Sequence, residues 1–281
     1  MPVEPFRIAG AEVEIAVPVR SGGVPGVSMA GFRGRAMEWV DLQMVPYPAL
    51  TLFIDLGDDL MLDEANGART HGSSVVGFGT VGAHGGGRDI DLIQVRLSPV
   101  AAHSVLGVSS GLSGRVAPLD ALWGRGVESL RERLHATRSW DERFAIIADL
   151  LTARERAGRA VDPEVAFAWR RIMLSHGGIR IDRLADETGW SRKRLWSRFR
   201  SQIGLTPKYG AQLVRFDCAA HRLAAGHSAA RVSAECGYVD QSHFHRDVMA
   251  FTGLTPKALA VAPWLAVDPL AWAAPAYAPR T

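Results

Sequence analysis

"GWSRKRLWSRFRSQIGLTP" (Gly189–Pro207) and "GYVDQSHFHRDVMAFTGLTP" (Gly237–Pro256) are two copies of one pattern. Each opens on a glycine and an aromatic residue, runs through a helical stretch, and closes on Gly-Leu-Thr-Pro. The opening glycines are 48 residues apart and the closing prolines 49, so the second copy carries one extra residue, placed in its turn. Ser191 and Asp240 stand where a helix cap is needed, and each closing Thr-Pro reads as the cap and first residue of the next helix. A short helix, a glycine turn and a second capped helix make a helix-turn-helix unit, whose second helix can enter the DNA major groove.

At 100° per residue, Leu195 and Phe199 face inward in the first copy. Lys193, Ser197 and Arg200 then face outward, with Trp196 on their flank and Arg192 at the helix start. In the second copy Phe244 and Val248 face inward, while Ser242, Arg246 and Met249 face outward, flanked by Gln241 and His245. Outward Arg, Lys, Gln and His are donors that read base edges and hold phosphates. The candidate DNA-contacting residues are therefore Arg192, Lys193, Trp196, Ser197, Arg200, Gln241, Ser242, His245 and Arg246. Without the repeat, the same residues would read as an ordinary solvated basic face.

Working outward, every segment from Asp162 to Ala260 has its own helix punctuation, with Asp162-Pro163, Thr206-Pro207, Ser228 and Thr255-Pro256 as starts. The count is seven short helices, an all-α domain over 162–260 with two helix-turn-helix units. Upstream, residues 1–158 read as a β-rich, barrel-like domain that ends in helices, giving an α+β chain. "ALTLFIDLG" (Ala49–Gly57), "SVVGFGTVG" (Ser74–Gly82) and "DIDLIQVRL" (Asp89–Leu97) read as strands. Ser139 with Glu142 forms a capping box before "WDERFAIIADLLTARERA", in which Phe144, Ile147, Leu150 and Leu151 share a face. "RERAGRAVDP" (Arg154–Pro163) reads as the linker. The tail, 261–281, has too many prolines for a long helix, and its Trp264 and Trp272 either dock on a domain or stay disordered.

The net charge of +3 hides an asymmetry. Residues 162–260 hold 15 Lys and Arg against 9 Asp and Glu, whereas residues 1–161 hold 16 against 19. A basic C-terminal half fits a polyanion such as double-stranded DNA, and a mildly acidic partner half fits protein or ligand contact. No apolar run is long enough for a membrane span and no secretory signal is visible, which points to the cytoplasm. The two cysteines, Cys218 and Cys236, neither make a metal cluster nor suggest a disulfide scaffold.

The motifs "LADETGWSRKRLWSRFRSQIGLTP", Leu213-Val214-Arg215-Phe216 and Gly237-Tyr238 followed by Asp240-Gln241-Ser242-His243-Phe244 fall in one order. In that order, the C-terminal hundred residues resemble the AraC/XylS family of transcription regulators. The resemblance implies two helix-turn-helix units joined by one long helix, and a base-contacting arginine at Arg246. It also implies a β-rich N-terminal half that senses a small-molecule effector or forms a homodimer, with RNA polymerase as a further partner. Val248 departs from the pattern, which usually has phenylalanine there, and Trp196 is an unusual residue beside the first reading face. No cofactor, metal site or catalytic residue is expected.

Other classes compete. One is an architectural DNA binder without an effector; another is an enzyme domain fused to a DNA-binding tail. Gly107–Gly111 matches G-x-S-x-G, but a nucleophile elbow needs a strand before it, and "VAAHSVLG" reads as a helix. His71, His84 and His103 lie too far apart for a metal signature. "GAHGGGRD" (Gly82–Asp89) lacks the end of a phosphate loop and reads as a mobile hairpin.

Overall fold

The computed structural model describes residues 4–8, 11–19, 23–64, 66–107 and 111–272. Nine strands come first, with four helices among and after them: β1 (Glu4–Ile8), β2 (Ala11–Ala16), β3 (Val27–Gln43), β4 (Leu50–Asp55), β5 (Met61–Asp63), β6 (Arg69–His71), β7 (Ser74–Val76), β8 (His84–Leu97), α1 (Pro99–Leu106), β9 (Val116–Pro118), α2 (Asp120–Trp123), α3 (Gly126–His135) and α4 (Trp140–Ala157). The strands form one antiparallel sheet in the order β1-β2-β3-β8-β4-β7-β9, with β5 paired to β6 and β8. Its spine is the long β3–β8 pairing, which shifts register between Arg35 and Val40.

All six residues of β4 are buried, which is why its sequence reads as one apolar run without alternation. Successive residues point to opposite faces. Leu52 and Ile54 join a core that continues through α1, α3 and α4, while Phe53 joins a second cluster with Val13, Leu62 and Leu92.

Two strand readings need correction. Only Ser74–Val76 of the segment Ser74–Gly82 is strand, because the chain at Gly77 turns against the Leu112 carbonyl. The glycine run at 85–87 is no mobile hairpin. It lies inside β8, paired with both β3 and β5. A Cβ at Gly86 would sit 2.3 Å from the Val40 carbonyl oxygen, so the close approach of β3 requires the missing side chain.

Seven helices follow over 162–260: α5 (Pro163–Leu174), α6 (Ile181–Thr188), α7 (Arg192–Ile203), α8 (Pro207–Ala224), α9 (Ala229–Glu235), α10 (Gln241–Thr252) and α11 (Pro256–Ala260). The caps that the sequence marks are made: Ser191, Thr206, Ser228, Asp240 and Thr255 each accept a backbone N–H from three residues on. Asp162 is different. Its carboxylate takes both Arg198 nitrogens, at 2.7 and 2.9 Å, and leaves the helix N-terminus without a side-chain cap. At Ser139 the box is half made: its hydroxyl accepts from Glu142 N, but the Glu142 carboxylate turns to Thr137.

The segment Arg154–Pro163 is not a free linker. α4 continues to Ala157, and Gly158 packs on α1 so closely that a Cβ would fall 1.8 Å from the Ser104 carbonyl oxygen. The segment's first residues belong to α4, and Arg154 lies over the Trp123 ring. The main core runs without interruption from the sheet through Trp169, Phe199 and Phe216 to Leu265. Ser113 donates to the Gly204 carbonyl at 2.9 Å, and α1 packs against α7.

The tail docks. α12 (Pro263–Ala271) is a nine-residue helix that tolerates Pro269 in its last turn. It lies against β3, β1, β2 and α8, and buries Trp272 at its end. Residues 160–260 hold a complete set of buried apolar side chains, among them Val165, Leu184, Leu195, Leu213 and Phe244. A fragment of 160–260 is therefore expected to keep helical circular dichroism and cooperative unfolding. The longer fragment 160–272, which exposes the apolar face of α12, is expected to self-associate more strongly in sedimentation.

Candidate nucleic-acid interface and an apolar cavity

The two candidate reading helices are α7 and α10, each entered through a glycine turn. Gly189 and Gly237 take φ of 69° and 73°, the left-handed region that ends α6 and the α9 segment without a Cβ clash. The single extra residue of the second copy lies in that turn. Ser191 follows Gly189 by two positions, Asp240 follows Gly237 by three, and the intervening Val239 is 88 % exposed. Joining the two units, α8 has 18 residues and so spans about 27 Å.

The inward set, Leu195, Phe199, Phe244 and Val248, is buried. Val248 closes the second core despite its smaller size, with Phe251 stacked on Phe216 at 4.7 Å from the next turn. All nine candidate contact residues are exposed: Arg192, Lys193, Trp196, Ser197 and Arg200 on α7, and Gln241, Ser242, His245 and Arg246 on α10. Their surroundings differ. Arg192 is held by Asp182 of α6 at 2.8 Å. The Arg200 guanidinium lies 5.2 Å from the Trp196 ring centroid, and Arg246 Nε donates back to the Ser242 carbonyl at 3.3 Å. Two other arginines of the basic stretch are engaged in the fold, Arg198 with Asp162 and Arg194 over the Trp190 ring.

A second feature was not legible in the sequence. An apolar cavity of about 180 Å³ opens between the sheet and α12, walled by Phe53, Leu60 and Leu62 on one side and Trp264, Val267 and Trp272 on the other. The glycines at 85–87 form part of its wall. At one end Arg96 is stacked between two rings, 3.7 Å from the centroid of Tyr47 and 4.1 Å from that of Trp272.

Asp268 of α12 ties this end together. It accepts hydrogen bonds from Tyr47 Oη at 2.6 Å, Arg96 Nη2 at 2.9 Å and His221 Nε2 at 2.9 Å. Burial opposes its charge, but Arg96, His221 and Tyr47 outweigh burial and hold the carboxyl below its ordinary range. The other ring nitrogen of His221 faces the Asp217 carbonyl oxygen at 2.8 Å. Both ring nitrogens thus face acceptors, which requires the imidazolium form. Burial pulls the His221 pKa down, but Asp217 and Asp268 overcome it and raise it to about 10.

Since this pKa lies above the ordinary 6.5, the charge stabilises the fold fully below pH 6.5 and progressively less as pH rises toward 10. Urea unfolding is expected to show stability falling between pH 7 and 10, and His221→Phe is expected to flatten that slope. From the cavity wall itself, Gln43 donates to the Thr252 carbonyl at the end of α10. The cavity therefore touches α10 through Gln43 and α8 through Asp268.

His71 lies in β6, His103 in α1, and His84 in β8 with Asp41 at 3.1 Å. Among the described residues no group of three or more His, Cys, Asp or Glu is placed to hold a metal ion. Cys218 and Cys236 are free thiols. The helix read before Gly107 is α1, and residues 108–110 of the G-x-S-x-G match lie outside the described residues. No described helix is long and apolar enough to cross a membrane.

Residues 184–260 match the model of a helix-turn-helix domain family. No curated protein matches the chain. Among solved structures, ToxT from Vibrio cholerae O395 is 11 % identical over 85 % of this chain and 98 % of its own, with a TM-score of 0.49. The AraC-like transcriptional activator CuxR is 15 % identical over 73 % of this chain and 86 % of its own, with a TM-score of 0.35. The C-terminal domain of AraT, a response regulator from Geobacillus stearothermophilus, is 18 % identical over 36 % of this chain and 85 % of its own, with a TM-score of 0.34.

Proposed function

We propose that this chain is a sequence-specific, effector-responsive transcription regulator of the AraC type, a reading supported by the match of residues 184–260 to a helix-turn-helix domain family. The observation that carries the reading is the pair of capped helices, α7 and α10, each with buried apolar residues on one side and exposed donors on the other. Joined by α8, they suit successive major-groove segments on one face of the duplex, about 34 Å apart, with the DNA bent where the spacing demands.

The effector part rests on the cavity. Its wall is largely apolar, and of its two arginines Arg96 is paired with Asp268 at 2.9 Å, so the ligand class that fits is a largely apolar molecule. Trp264 Nε1, buried in the same wall without a hydrogen-bond partner, is a donor for one acceptor atom on that ligand. The contacts Gln43–Thr252 and Asp268–His221 support a route from the cavity to the second unit.

Homodimerisation through residues 1–158 belongs to the same reading. The half is mildly acidic, and pairing would raise effective concentration at two-site operators without new base contacts. The setting is cytoplasmic, and RNA polymerase is the partner through which such a regulator would act.

Selection from a random duplex library tests the DNA part. A recovered consensus with binding that weakens steeply with salt is expected, and binding indifferent to sequence would leave an architectural protein. Fluorescence titration with N-phenyl-1-naphthylamine, an uncharged aromatic probe, tests the cavity; one saturable site per chain is expected. Sedimentation of the full chain, with titrations on one-site and two-site duplexes, tests the dimer. A chain that stays monomeric and gains nothing from the second site would sink that part.

A further inference from the structure

We propose that Trp196 reads the C5 methyl group of a thymine in the segment contacted by α7. The proposal rests on the DNA-reading function above and assigns a specificity to a residue that the helix-turn-helix architecture leaves open. Three observations lead to it.

Trp196 is 47 % exposed, whereas Leu195, Phe199 and Ile203 of the same helix are wholly buried. An indole in that position contributes nothing to the core of its own domain, unlike Trp190, which packs against that core. Exposing so large an apolar surface on a reading face has a cost that contact with a partner removes.

One face of the indole is occupied. The Arg200 guanidinium, one helical turn on, lies 5.2 Å from the ring centroid. A cation there fixes the ring's orientation on the helix surface. It also keeps the charge beside the indole, where a neighbouring phosphate can take it while the ring meets the base edge.

The second unit distributes its chemistry differently. Counted from the caps Ser191 and Asp240, Trp196 corresponds to His245, Ser197 to Arg246, and Arg200 to Met249. The helix α10 therefore offers a polar residue where α7 offers the indole, and an arginine where α7 offers a serine. The two helices are built to read different base steps. In the major groove the apolar feature of a base edge is the thymine methyl group, and the indole N–H is a donor alone. A ring presented there thus has one apolar target.

The test uses the full-length chain and the duplex recovered by selection. Each thymine is replaced singly by deoxyuridine, which removes the methyl group and leaves every hydrogen-bonding atom in place. At one thymine or more in the α7 segment, the wild-type chain is expected to lose about fourfold in affinity, the worth of one buried methyl-sized group. Trp196→Ala is expected to bind the thymine and uracil duplexes equally at that position. Arg246→Ala, altered on the other helix, should retain the discrimination. Replacing cytosine by 5-methylcytosine at the same position of a variant duplex should restore part of the wild-type affinity and leave Trp196→Ala unmoved.

A wild-type chain indifferent to every uracil replacement in that segment overturns the assignment, as does discrimination that survives in Trp196→Ala. Failure of the selection to yield any consensus would instead sink the sequence-reading function. Circular dichroism of Trp196→Ala, expected to match the wild type because the side chain lies outside the core, separates a binding loss from a folding loss.

Discussion

Replacing Asp268 by alanine is expected to lower the free energy of unfolding by about 3–5 kcal/mol, the usual cost of removing one partner from a buried charge cluster. The reason lies in what remains. Arg96 and Asp268 are each 3 % exposed, so the buried guanidinium loses the carboxylate that accepts from it at 2.9 Å where water does not reach. His221 loses the acceptor at its Nε2, and the Tyr47 hydroxyl loses its own. Asp268→Asn keeps the shape and one acceptor oxygen, and so should cost less. Urea unfolding at neutral pH, followed by circular dichroism, measures both. A loss below about 1 kcal/mol for the alanine variant would mean that the cluster is far wetter than its burial implies.

The second large effect falls on binding. Arg246→Ala is expected to cost about 1–3 kcal/mol on the cognate duplex and to relax the sequence preference where α10 docks. Its guanidinium stands on the exposed face with Ser242, clear of the core. Arg200→Ala should instead weaken every sequence similarly and make the salt dependence shallower, as loss of a phosphate contact does. Titrations on cognate and scrambled duplexes at several salt concentrations separate the two. Equal losses on both duplexes for Arg246→Ala would remove its base-reading role.

The C-terminal helices could be read from the chain because their signals are local. A cap accepts from three residues on, a glycine ends the helix beside it, and Leu195 and Phe199 lie one turn apart. The strands were harder. β3, seventeen residues long, begins buried and ends partly exposed, so no single alternation marks it. The glycines at 85–87 look like a turn by composition, and only the approach of β3 explains them as strand.

Least legible was the cavity. Its key contacts join residues 172 and 221 positions apart, Arg96 and Tyr47 to Asp268, and nothing local encodes such pairing. One hint existed: Asp268 is the lone acid in the apolar stretch "WLAVDPLAW", where a buried charge needs partners from elsewhere. Among the basic residues, composition could not separate Arg198, committed to Asp162, from Arg200, which is available to a partner beside Trp196.

The place of α12 in the chain has a temporal consequence. A polypeptide is synthesised from its N-terminus at about 5–20 residues per second, and domains fold as they appear. The sheet is made first and both reading helices next; the wall bearing Val267, Asp268 and Trp272 follows them. The newborn chain thus completes both helix-turn-helix units before the last wall of the cavity is in place. A message carrying a stop codon just after residue 260 would encode a product that retains both helices α7 and α10, has an open trough in place of the cavity and, without Asp268, is less stable. Under the function proposed above, such a product is expected to lose the effector response while it still competes for the same operators.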